Sequence, residues 1–272
     1  MSERAAPARR FGAWFREKIT QERAHFEAAQ AEATGRFGLF EGGLAVVAAV
    51  GLTAMTFLGH PETYLSLFQP DRLSAHWLRW GELTLLLYWI MGCLIGYLLL
   101  PMIYLRLWGR SVRDYYLGFE GFRAHLPIYL ALITPMLLIA LWASFWPDFQ
   151  LIYPFYSLAG RSWTDLLIWE LAYGLQFVAL EFFFRAFILE GLRPAIGYGS
   201  IWVMILPYCC IHFQKTGAES LGSIVAGVVL GWMALRTRSI WGGVLAHWII
   251  AVEMDLLSLL HKGQWPTIGW PP

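Results

Sequence analysis

The sequence predicts an all-α membrane protein, a polytopic bundle of about seven (7–8) transmembrane helices. Two observations support this fold class. Of the 272 residues, 58% are hydrophobic and only 14% are charged, whereas a soluble domain carries about 25% charged residues. Several apolar stretches also reach or approach the roughly 20 residues that a membrane-spanning helix needs. The net charge of +1 gives no sign of a nucleic-acid partner, so the bilayer itself is the first predicted partner.

The predicted spans follow one another with proline- and glycine-rich connections. They cover about 38–59, 81–105, 126–146, 164–190, 197–213, 219–236 and 239–260. The fifth span is short and contains Pro207, so we expect a kink or an irregular turn there. An eighth, re-entrant or interfacial helix would fit near 61–78 or 108–122.

Two regions are expected: an N-terminal arm at residues 1–36 and a transmembrane domain at 37–272. The arm carries seven Lys/Arg residues. Its apolar side chains recur at spacings near three and four, at Phe11, Trp14, Phe15, Ile19 and Phe26. A basic amphipathic helix of this kind lies in the headgroup region or packs against the protein's own loops. The sequence supports both interpretations equally.

Arginines set the expected orientation of the bundle. The loop at 106–123 holds four of them, and Arg193, Arg236 and Arg238 mark two further loops. With seven spans, these loops and the arm fall on one side of the membrane. Loops rich in Lys and Arg stay in the cytoplasm, so the N-terminus is predicted to be cytoplasmic.

The strongest functional signal is a charged pair inside an apolar helix. Glu181 precedes Arg185 by four residues, which places both side chains on one helix face. Glu170 projects within about 20° of Glu181 at 100° per residue. We expect this polar stripe to face the interior of the bundle, because a charge exposed to lipid is costly. An intrahelical ion pair that only fixes packing is the equally weighted alternative.

Two histidines lie in later spans. His212 ends the fifth span. A histidine at a helix end is more often a hydrogen-bonded residue at the membrane interface than a catalytic one. His247 stands about 12 Å inside its helix, and at that depth a functional role is favoured. In a straight helix His212 would lie about 22 Å from the cytoplasmic end, so a tilt or a break at Pro207 is needed for the two histidines to meet.

Two further carboxylates are candidate accessory groups. Asp255 follows His247 by two turns but projects about 80° away from it. Glu219 opens the sixth span, where a carboxylate complements the positive end of the helix. For Glu219 the capping role is preferred.

Together these groups are of the kind used in hydrolysis. A carboxylate can take a proton from water, and imidazoles can hold that water or stabilise an oxyanion. Arg185 would keep Glu181 ionised and oriented. The same groups could bind zinc, but the arginine beside the carboxylate opposes a dication, so no cofactor is the first expectation and zinc the second.

The order of these motifs resembles the CPBP family of intramembrane proteases, which includes the CAAX-prenyl endopeptidases and the bacterial lysostaphin-resistance-like proteins. The family pattern is Glu-Glu-x-x-x-Arg, then an aromatic residue followed four positions later by His, then His-x-x-x-Asn/Asp. Glu181 and Arg185 match the second Glu and the Arg. Tyr208 and His212 match the aromatic-to-His step, and His247 matches the last His.

The resemblance covers about residues 160–260 and departs from the pattern at two positions. Leu180 replaces the first glutamate and Ala251 replaces the Asn/Asp. A bacterial subgroup with one glutamate is similar, so Glu181 would serve as the base and Asp255 would stand in for the missing partner. The resemblance implies Glu181, Arg185, His212 and His247 as catalytic residues, with Tyr208 and Asp255 as accessory candidates. Glu219 is a further accessory candidate from its position alone.

The resemblance thus implies a glutamic-type intramembrane endopeptidase of the bacterial cytoplasmic membrane. Its substrate would be a membrane-associated peptide or protein, with or without a lipid group. The alternative is a catalytically inactive membrane scaffold or binding protein, which Leu180 and Ala251 favour. A proton-coupled transporter also uses intramembrane carboxylates, but the two halves of the sequence show no repeated pair of broken helices.

Overall fold

The computed structural model describes residues 5–213 and 215–270, without the side chains of 5–12, Phe15, His25 and Ala29. Its ten helices are α1 Ala5–Ala31, α2 Leu39–Phe57, α3 Pro61–Phe68, α4 Ala75–Leu107, α5 Glu120–Ala143, α6 Pro147–Ile152, α7 Trp163–Ile196, α8 Gly199–Cys210, α9 Gly217–Thr237 and α10 Trp241–His261. No strand occurs in these two ranges beyond one isolated bridge between Leu117 and Ser239. The all-α helix bundle is confirmed.

Seven of these helices correspond to the seven predicted spans. Six are long and apolar enough to cross a membrane, namely α2, α4, α5, α7, α9 and α10. The seventh, α8, has 12 residues and a length of about 18 Å, less than the roughly 30 Å of a hydrocarbon core. Of the two places considered for an additional helix, 61–78 contains the short α3, while 108–122 holds only a 3₁₀ turn at Val112–Asp114 and the start of α5.

Helix α7 is the centre of the bundle. In its apolar stretch 67% of the residues are buried, against 17% in the apolar stretch of α5. It contacts α2, α4, α8, α9 and α10, so its side chains meet protein in most directions. Ser162 begins the helix, because its hydroxyl accepts a hydrogen bond from the Asp165 N–H at 3.1 Å. Polar groups on α7 are therefore enclosed by other helices.

The second half of α7 is a π-helix from Phe182 to Glu190, and all nine of its residues are buried. A shorter π-helical stretch, Leu94–Leu99, lies in α4. The two stretches meet through the rings of Tyr97 and Phe183, whose centroids are 4.5 Å apart. π-helical geometry is rare and frequently found at functional sites.

The arm joins the bundle through its C-terminal half. Glu22 pairs with Arg236 at 3.2 Å, and the rings of Phe26 and Tyr198 lie 5.1 Å apart. This half therefore packs against the protein itself, at the end of α9 and at the turn between α7 and α8, while the side chains of Trp14 and Ile19 are exposed. The predicted apolar positions Phe11 and Phe15 lie outside the described side chains.

Candidate active site

The polar stripe of α7 faces the interior, as its spacing predicts. Glu170 is 7% exposed, Glu181 is 1% exposed and Arg185 is fully buried. Glu170 and Glu181 lie on the same α-helical part of α7, so the two side chains project from the same face of the helix, as the spacing of 100° per residue predicts. The Glu181 side chain is directed to α10, where it meets His247.

Glu181 is the centre of a buried cluster. Its Oε1 lies 3.6 Å from Nη2 of Arg185 and 3.2 Å from Nε2 of His247. The close approach of α7 and α10 depends on Gly243, because a Cβ at that position would lie 2.0 Å from Oε2 of Glu181. The predicted meeting of a carboxylate, a guanidinium and an imidazole from two spans is thus present.

Tyr208 connects the cluster to α8. Its hydroxyl lies 3.1 Å from Nε2 of His247, and the guanidinium of Arg185 lies over its ring at 4.4 Å. Tyr208 is fully buried. Since the tyrosine touches both the arginine and the histidine, it holds three helices in one polar contact.

His212 reaches the cluster through Tyr208. Helix α8 includes Pro207 and ends at Cys210, so His212 lies in the turn that follows rather than on a straight helix. Its Nδ1 lies 2.8 Å from the carbonyl oxygen of Tyr208, and the two rings are 4.8 Å apart. If Nδ1 carries the proton and donates it to this carbonyl, Nε2 of His212 keeps its lone pair.

The cluster contains buried polar atoms whose hydrogen-bonding capacity is unmet. In the described part of the chain, Oε1 of Glu181 and both Nε and Nη2 of Arg185 have no hydrogen-bond partner. Nη1 of Arg185 donates to Sδ of Met204 at 3.2 Å. Most buried polar groups are hydrogen-bonded, so these atoms call for a polar ligand such as water or a peptide group.

The two accessory carboxylates lie elsewhere. Asp255 accepts hydrogen bonds from the N–H of Phe155 at 2.9 Å and from Nε1 of Trp169 at 2.8 Å. It lies about 12 Å further along α10 than His247. The structure therefore does not bring Asp255 to His247, because a separation of two turns exceeds side-chain reach.

Glu219 occupies the first turn of α9. The hydroxyl of Thr216 accepts from its N–H at 3.2 Å, which caps the helix. Its carboxylate accepts a hydrogen bond from the Tyr153 hydroxyl at 3.0 Å. This placement agrees with the capping interpretation and gives Glu219 no contact with Glu181.

The two departures from the family pattern are apolar and enclosed. Leu180 is buried in the cluster around the π-helical stretches, and Ala251 is buried against a second cluster that includes Phe177. Neither position offers a polar group. Across residues 5–213 and 215–270, no three His, Cys, Asp or Glu side chains are grouped so as to hold a metal ion.

The chain was compared with protein families, curated proteins and solved structures. A family model described as type II CAAX prenyl endopeptidase Rce1-like matches residues 161–252. That range contains Glu181, Arg185, Tyr208, His212 and His247. Comparisons with curated proteins and with solved structures gave no match. The chain therefore carries a type II CAAX prenyl endopeptidase Rce1-like domain at residues 161–252, in agreement with the CPBP family.

Proposed function

We propose that this protein is an intramembrane endopeptidase that hydrolyses a peptide bond in a membrane-associated substrate, with Glu181 as the general base. The observation that carries the proposal is the chain of contacts from Glu181 through His247 and Tyr208 to His212. The unmet polar atoms of Glu181 and Arg185 support it, because a water molecule and a peptide carbonyl group could supply the missing partners.

In the proposed reaction, Glu181 takes a proton from water as the water oxygen bonds to the carbonyl carbon of the substrate. The negative charge that develops on the carbonyl oxygen is stabilised by hydrogen bonds from His247 and Tyr208. The C–N bond then breaks, and the proton held by Glu181 passes to the leaving amine. Arg185 keeps Glu181 ionised, and Nε2 of His212 accepts a hydrogen bond from the attacking water.

The burial gradient across the site supports access from the side of the bundle. The side chain of His247 is 18% exposed, while Glu181 is almost completely buried. A substrate segment would therefore meet the histidines first. The name of the matching family favours a prenylated C-terminal peptide. The arginine-rich loops favour a cytoplasmic N-terminus in a bacterial inner membrane.

The test uses the full chain, purified in detergent and reconstituted in vesicles with a prenylated CAAX peptide. Mass spectrometry identifies the cleaved bond and gives the rate. Glu181→Gln removes the base but keeps the shape of the side chain, and we expect a loss of about 10³-fold. Glu62→Gln changes an exposed carboxylate on α3 and serves as the control. Cleavage by a folded Glu181→Gln protein at the wild-type rate would contradict the proposal.

An inactive scaffold is the second candidate, and the apolar burial of Leu180 and Ala251 favours it. In that case the polar cluster would hold the helices together or bind the end of a partner chain. The wild-type protein would then bind the prenylated peptide without cleaving it, and Glu181→Gln would leave the binding unchanged. Any cleavage that depends on Glu181 rules this candidate out.

A further inference from the structure

Helix α10 begins with two adjacent glycines that face different neighbours. A Cβ added at Gly242 would lie 1.9 Å from Cζ of Tyr129 on α5, and one added at Gly243 would lie 2.0 Å from Oε2 of Glu181 on α7. Successive residues of an α-helix point about 100° apart. The first turn of α10 therefore lies between a tyrosine ring on one side and the proposed base on another, with no space for a methyl group on either.

The side of α10 that meets Glu181 also carries His247. Gly243 and His247 are four residues apart, so both lie on one face of the helix, and Nε2 of His247 lies 3.2 Å from Oε1 of Glu181. The position of α10 along α7 is fixed by Trp248, whose Nε1 donates to the carbonyl oxygen of Glu170 at 2.9 Å. How closely α10 approaches α7 is limited by the tyrosine ring on the neighbouring side.

Tyr129 is itself held firmly in place. It is 1% exposed, and its hydroxyl lies 3.1 Å from Oγ1 of Thr237 at the end of α9. The first turn of α5 is equally close to this residue, because a Cβ at Gly121 would lie 1.7 Å from the carbonyl oxygen of Thr237. The ring therefore cannot move aside without disturbing the contact between α5 and α9.

We propose that Tyr129 is a positioning residue for the proposed hydrolysis: its ring, acting through Gly242, sets the approach of α10 to α7 and so the distance between His247 and Glu181. This role depends on the proposed function. Tyr129 lies on α5, outside residues 161–252 that match the Rce1-like family model. Because protein interiors are close-packed, a change in volume at the ring moves the helix that the ring contacts.

Gly242→Ala tests this role by adding a methyl group where the ring lies. The methyl and the ring cannot occupy the same space, so α10 should shift by on the order of 1 Å, and kcat per folded molecule should fall about 100-fold. The Tm should fall by about 5 °C. The full chain is reconstituted with the prenylated CAAX peptide, and only the monodisperse fraction from size-exclusion chromatography is assayed.

Gly43→Ala is the matched control, because it adds a methyl group against another tyrosine outside the Glu181 cluster. Its Cβ would lie 2.4 Å from the hydroxyl oxygen of Tyr104, between α2 and α4. We expect a lower Tm and a wild-type kcat per folded molecule. The same result in Gly242→Ala would give Tyr129 a purely structural role and overturn the proposal.

A compensating change at Tyr129 provides the second test. Leucine ends at its two Cδ atoms, so Tyr129→Leu removes the ring atoms Cε1, Cε2 and Cζ that the added methyl group would meet. The double variant Gly242→Ala/Tyr129→Leu should therefore cleave about tenfold faster than Gly242→Ala. Tyr129→Phe keeps the ring and loses only the hydroxyl contact with Thr237, so its rate should stay within about threefold of wild type.

The outcomes separate this role from the proposed function. A wild-type protein that cleaves the peptide, with a slow Gly242→Ala variant and a faster double variant, supports the role of Tyr129. Wild-type cleavage with a double variant no faster than Gly242→Ala contradicts that role and leaves the proposed function standing. A wild-type protein that cleaves nothing contradicts the proposed function, and the role of Tyr129 falls with it.

Discussion

Helices α7 and α10 meet at two polar contacts of opposite character. At one, Glu181 lies beside the cation of Arg185 and the imidazole of His247. At the other, Asp255 of α10 accepts hydrogen bonds from Nε1 of Trp169 on α7 and from the N–H of Phe155, both of them neutral donors. The helices are the same, but the charge balance differs.

We assign the first contact to the proposed reaction and the second to the packing of the two helices. The Glu181 cluster places a carboxyl group beside a guanidinium and a partly exposed histidine, and it contains polar atoms without hydrogen-bond partners; under the proposed function these atoms receive water and the peptide group. The Asp255 contact is fully buried and its donors are neutral, so we assign it to holding the helices together. Three substitutions at the Glu181 cluster test this separation, and they follow in order of expected effect.

Arg185→Leu should have the largest effect, on folding. It leaves Glu181 as a buried charge without its cation, which costs about 3–5 kcal/mol. That corresponds to a Tm lower by about 10 °C for a chain of this size. Thermal unfolding of the purified protein measures the effect.

The double variant Glu181→Gln/Arg185→Leu provides the control for that prediction. It removes both charges, so much of the lost stability should return. If the double variant is less stable than Arg185→Leu alone, the pairing of these two side chains is not what stabilises the helix.

Gly243→Ala should lower the cleavage rate and also cost some stability. The added methyl group would lie 2.0 Å from Oε2 and 2.4 Å from Cδ of the buried Glu181 side chain, so the carboxylate must shift, and overpacking of this kind costs about 1–3 kcal/mol. A carboxylate displaced by about 1 Å loses on the order of 100-fold in rate. Peptide cleavage and Tm are measured on the same preparation.

Gly222→Ala is the matched substitution, since a Cβ at that position of α9 has no atom within 4 Å. It should leave the cleavage rate at the wild-type level. Full activity in Gly243→Ala would mean that the position of the Glu181 carboxylate does not limit the reaction.

Tyr208→Phe should have the smallest effect. It removes one hydroxyl from Nε2 of His247 but keeps the ring beneath Arg185. The loss of one hydrogen bond, about 1.4 kcal/mol, corresponds to a roughly tenfold lower kcat, with KM unchanged. Tyr156→Phe removes a similar buried hydroxyl contact, 2.8 Å from Asp165, outside the cluster. Equal losses in the two variants would assign Tyr208 a purely structural role.

The spans could be predicted from the sequence because lipid imposes a minimum apolar length. The π-helix at Phe182–Glu190 could not be predicted, since no residue type specifies π-helical geometry and packing against the neighbouring helices decides it. Pro207 indicated an irregular fifth span, and the helix does end three residues later, at Cys210.

The cluster itself was partly predictable. The spacing of Glu181 and Arg185 placed them on one face, and the depth of His247 indicated a role in the interior. The hydrogen bond from Trp169 to Asp255 could not be predicted, because it depends on the antiparallel register of α7 and α10. One signal was available: Trp169 precedes Glu181 and Asp255 follows His247, so in an antiparallel pair both lie on the same side of the Glu181 contact.

The most direct test compares Glu181→Gln with Glu170→Gln in one cleavage assay on the prenylated peptide. Both variants replace a buried glutamate of α7 by its amide. The account predicts that Glu181→Gln loses about 10³-fold in rate, while Glu170→Gln stays within about threefold of wild type, because Glu170 lies about 16 Å along α7 from Glu181. Equal losses in the two folded variants, or cleavage unaffected by Glu181→Gln, would contradict it.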